Sequence, residues 1–292
     1  MTQLLGFTLI LIVITGGLIV SGRPAVLEAL PFELALIGGA AVATLLIGNS
    51  RSTALQAARG LVQAFRGPKW SRDDYTELLG VMHELVRKSR QGGMIAIEAD
   101  IETPERSTLF AKAPRLLGNV QAMGLISETY RLLALDPALK KQIDQRLDEQ
   151  VGEIIAERHR AVSALHMLAD ALPALGIVAA VLGIIKTMGV IDQSPAILGE
   201  MIAAALLGTF LGVFLAYGLI GPMANRFAQI VEEEAAYLDT IARIISADIN
   251  GLAPRTAIEL ARSSLPMHLR PDIDLMARSL SQTRFGAEAR AA

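Results

Sequence analysis

The sequence contains no cysteine, few aromatic residues and little charge for its length of 292 residues. Without cysteine the chain can form neither a disulfide framework nor a thiolate metal site. Its histidines show no metal-ligand spacing, which leaves no predicted metal site; they are His83, His159, His166 and His268. The net charge of −2 also argues against nucleic-acid binding, which needs a strongly basic surface.

The motifs of common enzyme active sites are missing as well. The sequence has no GxSxG nucleophile elbow, no phosphate-binding glycine loop and no HExxH helix. We therefore predict that the protein is not an enzyme, that it has no catalytic residue and that it needs no cofactor.

Long apolar stretches take the place of these features, with a mean hydropathy of +0.44 and only 19% charged residues. Residues 4–20 and 201–222 carry no charge, and residues 32–48 carry only Glu33. About 20 apolar residues in a helix cross the roughly 30 Å core of a bilayer. We predict four transmembrane helices at about 4–20, 32–48, 172–191 and 201–222.

The basic residues predict the orientation of these spans. The segment that directly follows span two has no acidic residue before Asp73. It contains five basic residues: Arg51, Arg59, Arg66, Lys69 and Arg72. Positively charged loops stay in the cytoplasm. Residues 51–171, residues 223–292 and both termini are therefore expected on the cytoplasmic side of a multi-pass membrane protein.

The predicted fold is thus an all-α membrane protein with four transmembrane helices and a helical cytoplasmic domain formed by the 51–171 insert and the C-terminal tail. Its segments are residues 1–50 with spans one and two, 51–171, 172–222 with spans three and four, and 223–292. Within the cytoplasmic parts, the spacing predicts helices ending near Gly92-Gly93, over 115–134, and on the cytoplasmic side of Pro173 and Pro222. Short helices are expected near 254–265 and 271–283, with 284–292 as a frayed tail.

Small residues recur along the spans at positions that suit close helix packing. On span four they follow a step of four and share one face: Ala204, Gly208, Gly212 and Ala216. That face suits either the neighbouring span or a second subunit. Span two has a comparable set in Gly38, Gly39, Ala40 and Ala43.

Polar groups are rare within the spans. No span has a titratable residue at its centre, and Glu33 and Glu200 are expected as solvated carboxylates near span starts. If the chain carries ions, the titrating carboxylate must come from a partner. Thr209, Tyr217, Pro173 and Pro222 add polarity and broken backbone, although the prolines could equally just end helices and Thr209 could bond its own backbone.

Several separated motifs resemble the MotA family, the stator subunits of the bacterial flagellar motor. They are GNSRSTALQA after span two, KSRQGGMIAIEADIE at 88–102, GIVAAVLG after DALPAL, LLGTFLGVFLAYGLIGP, and DINGLAPRTAIELARSSL at 248–265. The resemblance implies a pentamer around two copies of MotB, whose single transmembrane helix supplies the ion-binding aspartate. It also implies torque on the rotor protein FliG.

Individual residues match functional positions of that family. Pro173 and Pro222 match prolines that couple ion passage to movement, and Thr209 matches a threonine near the partner's aspartate. Ala180 stands where proton-driven members carry alanine and sodium-driven ones threonine, so the resemblance implies a proton as the transported ion. Arg90 and Glu98 match the rotor-facing charged pair, whereas Gln150 departs from an acidic third contact.

Four other interpretations remain open at this point. A sodium-driven stator differs only in its ion, and an ExbB/TolQ-like energising subunit usually has three spans rather than four. A self-contained transporter is disfavoured by the lack of an internal carboxylate and of inverted repeats. A purely structural membrane scaffold would leave Thr209 and the two prolines without a role.

Overall fold

A computed structural model describes residues 2–20, 24–66 and 69–272, and within these ranges the chain is helical and has no β-strand. The α-helices are α1 (Thr2–Val20), α2 (Pro24–Gly48), α3 (Arg51–Arg66), α4 (Arg72–Glu102), α5 (Pro114–Leu117), α6 (Val120–Leu135), α7 (Ile143–Met188), α8 (Pro195–Val213), α9 (Gly221–Ile249) and α10 (Pro254–Ser264). From residue 273 onward, the helix expected near 271–283 and the tail 284–292 lie outside the described residues.

The helices form two compact units. The first contains Met1–Gly67 and Glu157–Val231, and the second contains Pro68–Ala156 and Glu232–Ala292. The chain passes from one unit to the other within α7 and within α9, because both helices contain residues of both units.

Three of the described helical stretches are long and apolar enough to cross a membrane: Glu28–Gly48, Ile143–Met188 and Pro195–Ile249. They contain the predicted spans two and four, and predicted span three up to Met188, where α7 ends three residues earlier than expected. The predicted first span corresponds to the uncharged α1, whose apolar stretch Gln3–Gly17 is shorter. The prediction of an all-helical chain with several apolar spans is confirmed for the residues that the structure describes, among which three helical stretches are candidate spans.

The core of the first unit is aliphatic and lies where α2, α7 and α8 pack together. Ile37 and Ala41 of α2 are buried in one cluster with Leu207 and Leu211 of α8. The expected small-residue face of α2 is not the one that packs here. A side chain at Gly38 or Gly39 would meet no atom within 4 Å, because the buried face is rotated away from them.

The second unit has a larger core that contains most of its aromatic residues. Trp70 and Tyr237 stack with their ring centroids 3.8 Å apart, and Tyr75 meets Tyr237 edge-on at 5.4 Å. Ser71 starts α4 with a capping box, in which its side chain accepts from the backbone N–H of Asp74 and its own N–H donates to that carboxylate. These contacts anchor the first turn of α4 to the unit's core.

The predicted helix boundaries in this unit are partly correct. Gly93 has φ +70°, which breaks α4 where the glycine pair predicted an end, but the helix resumes and continues to Glu102. The helix expected over 115–134 is divided into α5 and α6, because Asn119 caps a new N-terminus by accepting from the N–H groups of Gln121 and Ala122.

A buried polar network closes the C-terminal end of α9. Asp248, 7% exposed, accepts hydrogen bonds from Arg90 Nε at 2.9 Å and from the Tyr130 hydroxyl at 3.0 Å. The Arg90 guanidinium also donates to the carbonyls of Asp248, Gly251 and Leu252. Burial raises the pKa of Tyr130, and the neighbouring Asp248 raises it further, so the phenol remains a donor.

We expect Asp248→Ala to destabilise the second unit by about 2–3 kcal/mol, because it leaves the buried Tyr130 hydroxyl and the Arg90 guanidinium without their shared acceptor. Asp239→Ala on the same helix is the matched control. Its carboxylate pairs with Arg243 in an exposed i,i+4 contact, which is worth less than about 0.5 kcal/mol. Thermal unfolding of both purified variants measures the difference, and equal melting temperatures would contradict the network's role.

Candidate functional site

The helices α7 and α8 approach one another backbone to backbone. A Cβ built on Gly212 would lie 2.6 Å from the carbonyl oxygen of Leu172 and 2.8 Å from Cα of Gly176. A Cβ on Gly176 would lie 2.7 Å from the carbonyl oxygen of Gly208. Such distances are too short for any side chain, so only glycine permits this crossing.

The close approach of α7 and α8 continues at Gly208, where Ala180 of α7 lies next to this glycine. A Cβ on Gly208 would lie 3.3 Å from the backbone nitrogen of Ala180 and 2.9 Å from Oε2 of Glu33. Further along, a Cβ on Gly183 would lie 2.6 Å from Cβ of Ala205. We call this run of close contacts between α7 and α8 the glycine seam.

The four small residues predicted to form a packing face have different surroundings in the structure. Gly208 and Gly212 face α7 of the same chain, so their packing needs no second subunit. Ala216 is fully buried, and Ala204 borders a cavity beside α2. Of the two possibilities that the sequence left open, the neighbouring span accounts for the two glycines.

Glu33 is the residue that the sequence interpretation missed. The expectation of a solvated carboxylate is wrong, because the residue is only 5% exposed and its Oε2 is buried without a hydrogen-bond partner among the described residues. The spacing of Glu33 in the sequence could have indicated that it shares a face of α2 with apolar residues. Glu33, Ile37 and Ala41 follow a step of four and form the buried face of α2.

The other predicted ion-path residues differ in their surroundings. Thr209 is half-buried directly after Gly208 in the seam, and Ala180 is buried at 6% exposure. Tyr217 is 68% exposed, so its side chain points away from the packed interior of this chain. The structure therefore brings Ala180, Gly208 and Glu33 together and leaves Tyr217 apart from them.

The two prolines interrupt helices without ending them. Pro173 lies inside the continuous α7, where its missing N–H leaves the carbonyl of Ala169 without its usual donor. Before Pro222 the residues Phe214–Ile220 form a π-helical segment, in which the N–H of Gly221 donates to the carbonyl of Ala216 five residues back. The expected helix break at Pro222 is thus a change of hydrogen-bond register.

Pro222 also borders a cavity of about 310 Å³. Its walls come from α1, from the end of α3 and from the residues around Pro222, including Phe7, Phe65 and Gly218. The open space gives this part of the helix room to change its register.

The two residues predicted to face a rotor have different environments in the second unit. Glu98 is exposed and lines a groove of about 370 Å³ between α4 and α6, whose rim includes Ile95 and Leu135, each 83% exposed. Arg90 instead directs its guanidinium into the Asp248 network. Gln150, the departure from the family pattern, donates to Glu128 at 2.9 Å.

Comparison with known proteins identifies the family. The profile of the motility protein A N-terminal region matches residues 4–93, and that of the MotA/TolQ/ExbB proton channel family matches residues 118–240. Motility protein A of Salmonella typhimurium is 34% identical over 271 residues, which are 93% of this chain and 92% of that protein. The chain belongs to the motility protein A family.

Other members of the family agree with this placement. Motility protein A of Escherichia coli is also 34% identical over 93% of this chain and 92% of its own length. Among solved structures, C. jejuni MotAB matches with a TM-score of 0.71 at 19% identity, covering 91% of this chain and 96% of that one. The MotAB stator complex of Bacillus subtilis matches equally well, at 21% identity over 92% and 98%. The motility protein A fold is thus shared over nearly the whole chain.

We expect Gly212→Ala to disrupt the glycine seam, because the added methyl group would overlap the backbone of α7 and cost about 2 kcal/mol or more. Gly199→Ala on the same helix is the matched control, since a Cβ there meets no atom within 4 Å. The measurement is thermal unfolding of both detergent-purified variants together with their abundance in membranes. An unchanged melting temperature and membrane abundance of Gly212→Ala would mean that α7 and α8 do not approach this closely.

Proposed function

We propose that this chain is a stator subunit of a bacterial flagellar motor, which forms a proton channel with MotB and converts proton flow into torque. The observation that carries the proposal is the 34% identity to motility protein A over almost the whole of both chains. The MotAB complexes that share the fold support MotB as the partner. The protein is then a multi-pass component of the bacterial inner membrane with both termini in the cytoplasm.

The specific match of residues 4–93 favours a stator over an ExbB/TolQ-like energising subunit. That region matches the profile of the motility protein A N-terminus, whereas residues 118–240 match the wider family that includes TolQ and ExbB. In this proposal α1 also crosses the membrane as span one, which brings the number of spans to four. Its 19 residues contain no charge and extend about 28 Å at 1.5 Å per residue.

The chain supplies the wall of the ion path and MotB supplies the central aspartate. Five copies surround two MotB helices, and the glycine seam stiffens the wall beside Thr209 and Ala180. Ala180 offers no hydroxyl oxygen, and a desolvated sodium ion requires several oxygen ligands, whereas a proton needs only a carboxylate. The transported ion is accordingly a proton, and no cofactor takes part.

The prolines couple ion passage to movement of the second unit. Pro173 and Pro222 lie in α7 and at the start of α9, the two helices whose residues belong to both units. A helix that lacks one hydrogen bond bends at low cost, and a π segment converts to α-helix by a one-residue change of register. Protonation of the partner's aspartate would bias that change.

The rotor protein FliG contacts the second unit at the groove beside Glu98. The exposed Ile95 and Leu135 supply apolar contact area, and Glu98 supplies charge for orientation. Arg90 acts as a positioning residue for this surface, because its guanidinium holds the end of α9 through Asp248.

The decisive experiment is rotation by a strain that lacks its own stator and carries this chain with its MotB-type partner. We expect tethered cells to rotate in sodium-free medium and to stop when a protonophore collapses the proton gradient. Cells that express the chain without the partner are the control and should not rotate. Rotation that depends on a sodium gradient would overturn the ion assignment, and no rotation with an assembled complex would overturn the function.

We further expect Glu98→Lys to reduce torque while the complex still assembles, because an exposed carboxylate contributes to docking and not to folding. Loss of one exposed ion pair weakens docking by up to about fivefold. Glu105→Lys is the control, being an exposed acid of the same unit outside the groove. Bead assays measure the torque of both variants. Reversal of a basic residue on the rotor should restore part of the torque that Glu98→Lys loses. Equal torque in both variants would mean that the rotor contact does not include Glu98.

A further inference from the structure

The buried carboxylate of Glu33 has no role in the function proposed above. It lies on the packed face of α2 with only 5% of its surface exposed, and Oε2 has no hydrogen-bond partner within the described part of the chain. A charged carboxylate left unmatched in an apolar environment is costly. An acid at such a position is therefore matched by a bound proton or by a cation.

The surroundings of Glu33 decide between these two ligands. It lines a cavity of about 450 Å³ together with residues of α7 and α8, among them Leu182, Met201 and Ala205. Besides Glu33, the polar side chains among the lining residues are Thr187, whose hydroxyl donates to the carbonyl of Gly183, and Lys186. Metal cations such as sodium need several oxygen ligands, and besides Glu33 the lining residues offer one side-chain oxygen, the Thr187 hydroxyl, whereas a proton needs only the carboxylate.

The position of Glu33 is imposed by the glycine seam. Its Oε2 occupies the space that a side chain at residue 208 would fill, 2.9 Å from the position of that Cβ. Because Ala180 reaches Gly208 from the other helix, the carboxylate lies beside the residues assigned to the wall of the ion path. This chain thus brings a titratable group of its own to that wall.

We propose that Glu33 is a proton-binding site, which takes a proton from a hydronium ion in the cavity and returns it to water during the transport cycle. The carboxylate and H₃O⁺ give the carboxylic acid and H₂O, so one O–H bond forms as another breaks and no other bond changes. The proposal deepens the proton-channel function and rests on it for its part in transport, but the binding of the proton can be tested without it.

Carbodiimide labelling tests proton binding directly, because these reagents modify protonated carboxyl groups in apolar surroundings. Membranes that contain the full chain with its partner are treated with dicyclohexylcarbodiimide over a range of pH, and the labelled peptides are quantified by mass spectrometry. We expect Glu33 to be labelled at least about tenfold more than the exposed Glu28 of the same helix, with labelling that falls as pH rises. Absence of labelling, labelling independent of pH, or suppression by sodium would each overturn the proposal.

The second experiment measures proton flux through the reconstituted complex. Glu33→Gln preserves the shape of the side chain and should lower flux by about tenfold or more while the complex still assembles. Glu33→Asp should restore part of the flux with a shifted pH profile, which a merely structural role would not move. Glu28→Gln is the control with unchanged flux.

The outcomes separate this inference from the proposed function. If the unmodified complex conducts no protons, the channel function fails, and labelling alone decides whether Glu33 binds a proton. If the unmodified complex conducts and Glu33→Gln conducts equally well with the same pH profile, only the inference about Glu33 fails. If Glu33→Gln does not assemble, the labelling of the unmodified chain again decides.

Discussion

The backbone contact between α7 and α8 is the constraint on which the first unit depends. Within a bilayer, apolar helices gain little from leaving lipid, so their association relies on close packing and on the few polar contacts between them. Gly176 and Gly212 allow an approach at which any side chain would overlap backbone atoms, and Gly208 leaves the space that the carboxylate of Glu33 occupies. Because that approach fixes both helices, it also fixes what lies beside them, including Ala180 and the carboxylate of Glu33.

The glycine seam explains why an acidic residue can occupy an otherwise aliphatic core. The missing side chain at residue 208 leaves a space that Oε2 of Glu33 fills, while Ile37 and Ala41 seal the same face of α2. A hydrophobic residue would fill this space at lower cost, since it has no polar atom to satisfy. The burial of this carboxylate costs free energy, and the backbone packing fixes its position. Its presence is therefore better explained by its chemistry than by its packing.

The sequence predicts the features that depend on local spacing and fails where distant elements decide. The apolar spans, the packing face through Gly208 and Gly212, and the break at Gly93 all follow from composition and periodicity. The burial of Glu33 depends on which face of α2 meets α8. Its step of four with Ile37 and Ala41 places the three residues on one face, but the spacing alone does not say that this face is enclosed. The contact of Arg90 with Asp248 joins residues 158 positions apart, so no local sequence pattern predicts it.

That contact changes how a charged surface pair should be interpreted. Arg90 and Glu98 look equivalent in the sequence, yet a guanidinium that already serves one carboxylate and three carbonyls has few donors left for another protein. Removing it would alter the end of α9 and, through it, the surface that Glu98 occupies. In the proposed stator, a loss of motility on changing Arg90 would therefore reflect the integrity of the unit, whereas a change at the exposed Glu98 tests the proposed rotor contact separately from the stability of the unit.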